Sequence, residues 1–249
     1  MASATLPDSK TSLLIVNLYP DLLRSYGDRG NVLVLTRRAE WRGISVRVVG
    51  VTRGERIPAA TDLIVMGGGS DSVQALAGPD LVARRGEIAN LVAGGTVVFG
   101  ICGGYQLLGH EYVGVDGETI TGLGLLDVTT TAGRERLVGR VSTRATFAGK
   151  SFDVAGFENH AGRTTLGAGA SPLAAVPVGQ GNNGRDRTEG AVNGNVVGTY
   201  LHGPVLPASP GFADALLRQS LSRTHDSVEL APLDDRMEDA ARLVASRGR

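Results

Sequence analysis

The sequence predicts an α/β fold: a doubly wound, mostly parallel sheet flanked by helices, with additional short strands in the second half and a C-terminal helical extension. Three observations predict it. In the first half, short β-branched runs alternate with helix-compatible stretches, the pattern of a parallel sheet with helical crossovers. Glycine clusters follow two of those runs, at Gly67-Gly68-Gly69 and at Gly103-Gly104. The second half has a different texture, with short apolar runs separated by turn residues.

The elements follow in order. Leu13–Leu18 is a short buried-strand run, and Gly30–Trp41 carries Val32, Leu33, Leu35 and Ala39 at helix-compatible positions. Ser45–Val51 and Leu63–Met66 are the next strands. A helix is predicted from Pro79 to Ala93, because Pro79 suits a first turn and Gly94-Gly95 suit an end. Val97–Ile101 is a buried strand. Leu123–Thr131, Leu137–Phe147, Ser151–Phe157, Ala191–Val192 and Val196–Tyr200 read as short strands, with Asn193-Gly194 as a two-residue hairpin turn. The polar, glycine-rich stretch Gly179–Arg187 predicts a mobile loop. Phe212–Ser222 and Leu233–Ser246 read as amphipathic helices. These elements divide the chain into a loosely held or disordered N-terminus (1–12), one domain (13–205) and a C-terminal helical extension (206–249).

Composition narrows the function. The 249 residues hold 25 Lys and Arg against 25 Asp and Glu, so no net charge draws nucleic acid or an anionic membrane. A single cysteine excludes an internal disulfide framework and a Cys-rich metal site. Residues 1–12 are polar without a signal-peptide pattern, and no apolar run approaches the length of a membrane span. The expected compartment is the cytoplasm, which suits a reactive thiol.

That cysteine carries the chemistry. In Val97-Val98-Phe99-Gly100-Ile101-Cys102-Gly103-Gly104-Tyr105-Gln106 a strand ends, the Cys follows, and two glycines open a helix at about Gly104. A nucleophile elbow has this form: small neighbours let substrate approach, and the helix start favours negative charge. The candidate base is His202, in Gly198-Thr199-Tyr200-Leu201-His202-Gly203-Pro204, where Gly-Pro stops a strand and holds the imidazole at the sheet edge. His160, in Gly156-Phe157-Glu158-Asn159-His160-Ala161-Gly162, is the second candidate, though it and Glu158 suit a supporting or partner-facing role better than a catalytic one. His110 and His225 read as structural or solvent-facing. Amides of the loop at Gly68 and Gly69, with that of Gly103, are the candidate oxyanion donors. No Gly-Lys-Ser/Thr or G-x-G-x-x-G pattern follows the glycine run, so it is not a phosphate loop.

Gly-Ile-Cys-Gly-Gly-Tyr-Gln at 100–106, the glycine loop at 67–69 and Gly-Thr-Tyr-Leu-His-Gly-Pro at 198–204 resemble class I (triad-type) glutamine amidotransferases of the cobyric-acid-synthase-like branch. Tyr26-Gly27-Asp28-Arg29-Gly30-Asn31 and Gly156-Phe157-Glu158-Asn159-His160 narrow the likeness to the stand-alone GatD-type glutaminase subunits of lipid II isoglutaminyl synthase. The resemblance spans about residues 13–205.

The resemblance implies that Cys102 attacks the side-chain amide of L-glutamine, His202 relays the proton, and water cleaves the γ-glutamyl thioester. It implies a heterodimer in which ammonia passes to a Mur-ligase-like synthetase subunit that amidates the D-glutamate α-carboxyl of lipid II. ATP and Mg belong to that partner; no cofactor is expected on this chain. Arg136, with Arg134 as second choice, matches the arginine that binds substrate in that group, and Gln106 matches a residue of the glutamine pocket. One departure stands out. Many triad enzymes carry Glu two residues after the His, and here Gly203 and Pro204 follow His202. The orienting acid is therefore expected from the partner, with Glu158 or no acid as the alternatives. Three other readings compete: a glutaminase for a different synthetase of the cobyric-acid type, an elbow-Cys hydrolase acting alone, and a flavodoxin-like binding module with a merely buried Cys102.

Overall fold

The computed structural model describes residues 11–177, 179–225 and 228–246. The loosely held N-terminus expected for 1–12 falls mostly outside them, and Ser12 already belongs to the first strand. The elements in chain order are β1 (Ser12–Leu18), α1 (Arg29–Glu40), β2 (Ser45–Val51), β3 (Leu63–Met66), α2 (Asp71–Ala83), α3 (Arg85–Ala93), β4 (Val97–Ile101) and α4 (Gly103–Leu108). They continue with β5 (Glu111–Val113), β6 (Thr119–Thr121), β7 (Val128–Phe147), β8 (Lys150–Leu166), β9 (Ala174–Ala175), β10 (Thr188–Glu189), β11 (Ala191–Asn193), β12 (Val196–Thr199), β13 (Leu201–His202), α5 (Pro210–Leu221) and α6 (Arg236–Ser246).

The first sheet runs β11-β12-β4-β3-β1-β2. All its neighbours pair in parallel except β11 with β12. β3 and β4 are buried at every position, as uninterrupted apolar runs in the middle of a helix-covered sheet must be. Switches of strand order in such a sheet open a crevice beyond the C-terminal ends of the strands. Those ends carry the glycine loop after β3, Cys102 after β4 and, after β12, the segment leading to His202.

The second sheet has seven strands and departs from the sequence reading. The expected short strands merge into two long antiparallel ones, β7 and β8, paired from Val128↔Leu166 to Phe147↔Lys150. An irregularity between Ala132 and Leu137 interrupts their register. The break read at Ala132–Arg136 is absorbed by this bulge, and the one read after Phe157 is bridged because Glu158, Asn159 and His160 pair with Gly139, Val138 and Leu137. The hairpin turns at Ala148-Gly149, where both residues have positive φ, 50° and 70°, as a tight hairpin of matching twist requires. The hairpin expected at Asn193-Gly194 forms one residue later, because Asn193 pairs with Val196.

Two helical readings also change. Pro79 lies inside α2 rather than opening a helix, because Val73, Gln74, Ala75, Leu76 and Ala77 already carry helical structure toward it. The C-terminal extension is partly core. Phe212 of α5 meets Phe99 of β4 edge-on at 5.3 Å, stacks on Phe152 of β8 at 5.0 Å and lies 6.5 Å from Phe147 of β7. It therefore joins the two sheets through one side chain, whose burial is worth roughly 1.5–3 kcal/mol. The loop Gly179–Arg187 is tied down rather than free. The amides of Gln180 and Gly181 donate to Glu158 at 2.7 and 2.8 Å, and fully buried Asn182 accepts from Tyr105 Oη at 3.2 Å. No helix among the described residues is long and apolar enough to cross a membrane.

Candidate active site

β4 and β12 are neighbours, with Thr199 opposite Ile101. Cys102 N–H donates to Thr199 O at 2.8 Å, so the residue after β4 is fixed to the end of β12. Cys102 then turns at φ 50°, ψ −106° into α4. A non-glycine residue held there is strained, and such strain presents a nucleophile on a sharp turn. The turn is possible only because the next residues lack side chains. A Cβ on Gly104 would lie 2.4 Å from Met66 O, and one on Gly103 would lie 2.8 Å from Gly69 N.

The chain crosses from the first sheet to the second at Tyr200. β12 pairs with β4, and β13 pairs with β8 with His202 opposite Phe157. Fully buried Glu189 holds that crossing, accepting from Thr199 Oγ1 at 2.5 Å and from Tyr200 N at 2.9 Å. Burial is the largest influence on Glu189, and its carboxyl is pushed up to about 7. The crossing leaves His202 1 % exposed beside Cys102.

The orienting carboxylate is Asp28, which the sequence reading did not assign. His202 Nδ1 donates to Asp28 Oδ1 at 3.3 Å, and Gly68 N–H donates to Asp28 Oδ2 at 2.7 Å. Glu158 does not serve, because its two oxygens accept the amides of Gln180 and Gly181. The chain thus carries an acid of its own where the sequence reading looks to a partner. Burial pulls the His202 pKa down, but hydrogen bonds and charges of Asp28 and Cys102 outweigh it and push the ring up to about 9. The segment around Asp28 is built for this place. A Cβ on Gly30 would lie 2.5 Å from Pro204, and Asn31 Oδ1 accepts Leu206 N–H at 3.0 Å. The signal in the sequence was an acid between glycines after the first strand of a parallel sheet.

The oxyanion donors need a correction. Gly68 N–H is committed to Asp28. The amides of Gly69 and Gly103 have no partner among the described residues, and the two glycines pack so closely that a Cβ on Gly103 would meet the backbone of Gly69. Of the three candidate donors, these two are the ones that no acceptor claims.

A cleft of about 600 Å³ opens over Cys102. Gly69, Gln74, Gln106, Arg136 and His160 share its lining. Arg136 is clipped to Asn159, with Nε on the side-chain oxygen and Nη2 on the main-chain oxygen, each at 2.5 Å. Arg134 is not part of the wall. Gln106 is, but both ends of its amide are occupied: Oε1 accepts from Gln74 at 2.8 Å, and Nε2 donates to Tyr200 Oη at 3.1 Å. It shapes the wall through a network that sequence reasoning missed, of Gln74, Tyr200, Thr164 and Thr130. His110 bonds Asp127 at 3.0 Å and His225 bonds Leu221 O at 3.2 Å, both outside the cleft. No cluster of metal-ligating side chains occurs among the described residues.

A buried thiol on a strained turn, an imidazole oriented by a carboxylate and two unpaired amides form the equipment of acyl transfer through a covalent intermediate. The profile of the CobB/CobQ-like glutamine amidotransferase domain matches residues 14–210. The chain is 38% identical over 233 residues to the GatD subunit of the glutamine-hydrolysing lipid II isoglutaminyl synthase of Staphylococcus aureus, covering 93% of this chain and 94% of that one. Its likeness to the same subunit of Streptococcus pneumoniae is 36% over 228 residues, covering 90% and 86%. A cobyric acid synthase of Rhodobacter capsulatus is 39% identical over 183 residues, 70% of this chain but 35% of that protein. Among solved structures, PurLQS from Thermotoga maritima superposes with a TM-score of 0.53 at 20% identity, covering 86% of this chain and 96% of that one, a likeness of fold alone.

Proposed function

The chain belongs to the CobB/CobQ-like glutamine amidotransferase family, and from that premise we propose that it is the glutamine-hydrolysing subunit of a lipid II isoglutaminyl synthase. It is an enzyme subunit that acts on glutamine. In the proposed reaction His202 takes the thiol proton as Cys102 Sγ attacks the side-chain carbonyl carbon of glutamine. The carbonyl oxygen becomes an oxyanion held by the amides of Gly69 and Gly103. His202 gives its proton to the departing nitrogen, so ammonia leaves and a γ-glutamyl thioester remains. Water, deprotonated by His202, adds to that carbonyl; the C–S bond breaks and glutamate is released. Asp28 keeps the imidazole turned toward Cys102 throughout. Arg136 takes the α-carboxylate of glutamine at the rim of the cleft.

The ammonia goes to an ATP- and Mg-dependent partner of the Mur-ligase type, which amidates the α-carboxyl of D-glutamate in lipid II at the inner face of the membrane. The observation that carries the reading is the Asp28–His202–Cys102 alignment, with Cys102 directly after the parallel strand β4 and His202 just past its neighbour β12. Coverage favours this acceptor over that of a synthetase of the cobyric-acid type. The chain matches almost the whole of the GatD subunits but only about a third of the cobyric acid synthase.

The test has two stages. Glutamate release from glutamine should be present in the wild type and absent in Cys102→Ala. With the Mur-ligase-type subunit, ATP and Mg, mass spectrometry should show D-glutamate of lipid II converted to D-isoglutamine. Glutamine hydrolysis without any lipid II amidation in that complex would redirect the reading to another acceptor.

A further inference from the structure

His160 is left unused by this mechanism, yet it is one of the most tightly held side chains in the site. It is 1 % exposed, and its ring stacks on Tyr200 at 3.5 Å with 7° between the planes. Its Nδ1 lies 2.9 Å from Gly162 O. A carbonyl only accepts, so Nδ1 carries the hydrogen and Nε2 of the neutral ring is a bare acceptor. Burial, the largest influence, with the charges of Arg163, Arg136 and His202, pulls the ring down to about 3, so it stays neutral at working pH. Nε2 is buried and has no partner among the described residues. A buried unsatisfied acceptor costs stability, and one in a cleft wall points to a ligand donor.

Its neighbours identify the donor. His160 follows Asn159, the residue that clips Arg136, and His160 and Arg136 line the same cleft. Gly69 and Gln74 line the cleft beside Gly103, the residue after Cys102, where Gln74 Cδ comes within 3.2 Å of a Cβ built on Gly103. An acceptor beside a guanidinium suits a cation that travels with a carboxylate, which is the α-carbon end of an amino acid. We propose that His160 Nε2 accepts a hydrogen bond from the α-ammonium of the substrate glutamine while Arg136 takes the adjoining α-carboxylate. This makes His160 the residue that distinguishes an α-amino acid from a plain ω-amide, and it rests on the glutaminase reading above.

The experiment compares L-glutamine with glutaramate, the same molecule without its α-amino group, on the full chain with its partner. The wild type should show a kcat/KM for glutaramate roughly 10- to 100-fold below that for glutamine, the span of one charge-assisted hydrogen bond. His160→Phe keeps the stacking on Tyr200 and removes Nε2. It should raise KM for glutamine and leave kcat/KM for glutaramate nearly unchanged, so that the preference collapses. His160→Gln, which restores an acceptor, should recover part of it. Equal losses for both substrates, or a fall in kcat at constant KM, would overturn the inference. So would a wild type that uses both substrates equally well, a result independent of whether any variant folds. A wild type that hydrolyses neither substrate fails the glutaminase reading itself.

Discussion

Asp28 Oδ1 lies 3.3 Å from His202 Nδ1, although 174 positions separate the two residues in the chain. Both are almost fully buried. The second oxygen of the same carboxylate receives the amide of Gly68 at 2.7 Å. One side chain therefore sets the tautomer of His202 and the position of the glycine loop beside Cys102. A base whose tautomer is fixed by a buried carboxylate is more effective than a free imidazole.

Asp28→Asn is the sharpest test of that link. The asparagine oxygen can still take one hydrogen bond, but the charge that favours Nδ1–H is gone. Glutamine turnover should fall roughly 10²- to 10⁴-fold with KM little changed, and Glu158→Gln should fall far less. Steady-state kinetics on both variants checks this, and the reverse ranking would return the orienting role to Glu158.

The same contact predicts an alkaline loss of stability. The His202 pKa is raised from an ordinary 6.5 to about 9 in the folded protein. Its stabilising contribution is thus fully present below pH 6.5 and is lost as pH rises through about 9. Thermal unfolding between these values should show Tm falling with pH in the wild type. The slope should be shallower in Asp28→Asn, which removes the Asp28 charge that helps raise the His202 pKa.

Gly68→Ala tests how closely the three groups are packed. A Cβ there would lie 3.0 Å from His202 Cε1, 3.1 Å from Asp28 Oδ2 and 3.4 Å from Cys102 Cβ. The contact forces base and acid apart by a few tenths of an ångström. Overpacking of this kind costs about 1–3 kcal/mol, so the protein should fold with a lower Tm and lose most of its turnover. Undiminished kcat in the folded variant would show that the alignment is not critical.

Much of this site was legible in the sequence, because its parts sit where local patterns end. Cys102 and His202 each follow a β-rich run and precede glycine, and such positions become the C-terminal edge of a parallel sheet. Asp28 was not legible as an acid for His202, since its contact depends on how α1 and the turn after His202 meet, which neither segment encodes alone. The second sheet was misread for a different reason. Ala132–Arg136 and the polar residues after Phe157 look like strand breaks, whereas 16 residue pairs across two strands and one bulge hold them in a continuous ladder. Gly68 reads from sequence as a candidate donor to substrate, because a backbone amide reveals nothing there about which acceptor claims it.

Glu189 should make the protein sensitive to pH in a lower window. Its folded pKa is raised from 4.5 to about 7 by burial, so the stability it contributes is complete below pH 4.5 and is lost as pH rises through about 7. Glu189→Gln keeps an acceptor for Thr199 and Tyr200 without the titrating proton. Between pH 4.5 and 7 the difference in Tm between variant and wild type should move steadily in favour of the variant. A difference that stays constant over that window would show that Glu189 does not titrate there.

Arg136 is expected to govern affinity rather than chemistry. It lines the cleft, and its guanidinium is held to Asn159 through Nε and Nη2. Such a clip reduces the freedom that a long side chain loses when it engages a carboxylate. Removing one charge-assisted contact at the rim should raise KM for glutamine roughly 10- to 100-fold in Arg136→Ala, with kcat kept within a small factor. Arg136→Lys should recover little, because an ammonium cannot reproduce the two-point fork. Asn159→Ala, which frees the guanidinium from the side-chain oxygen, should raise KM by less than Arg136→Ala does. Michaelis curves for the three variants decide it: an unchanged KM in Arg136→Ala would move carboxylate recognition elsewhere in the cleft.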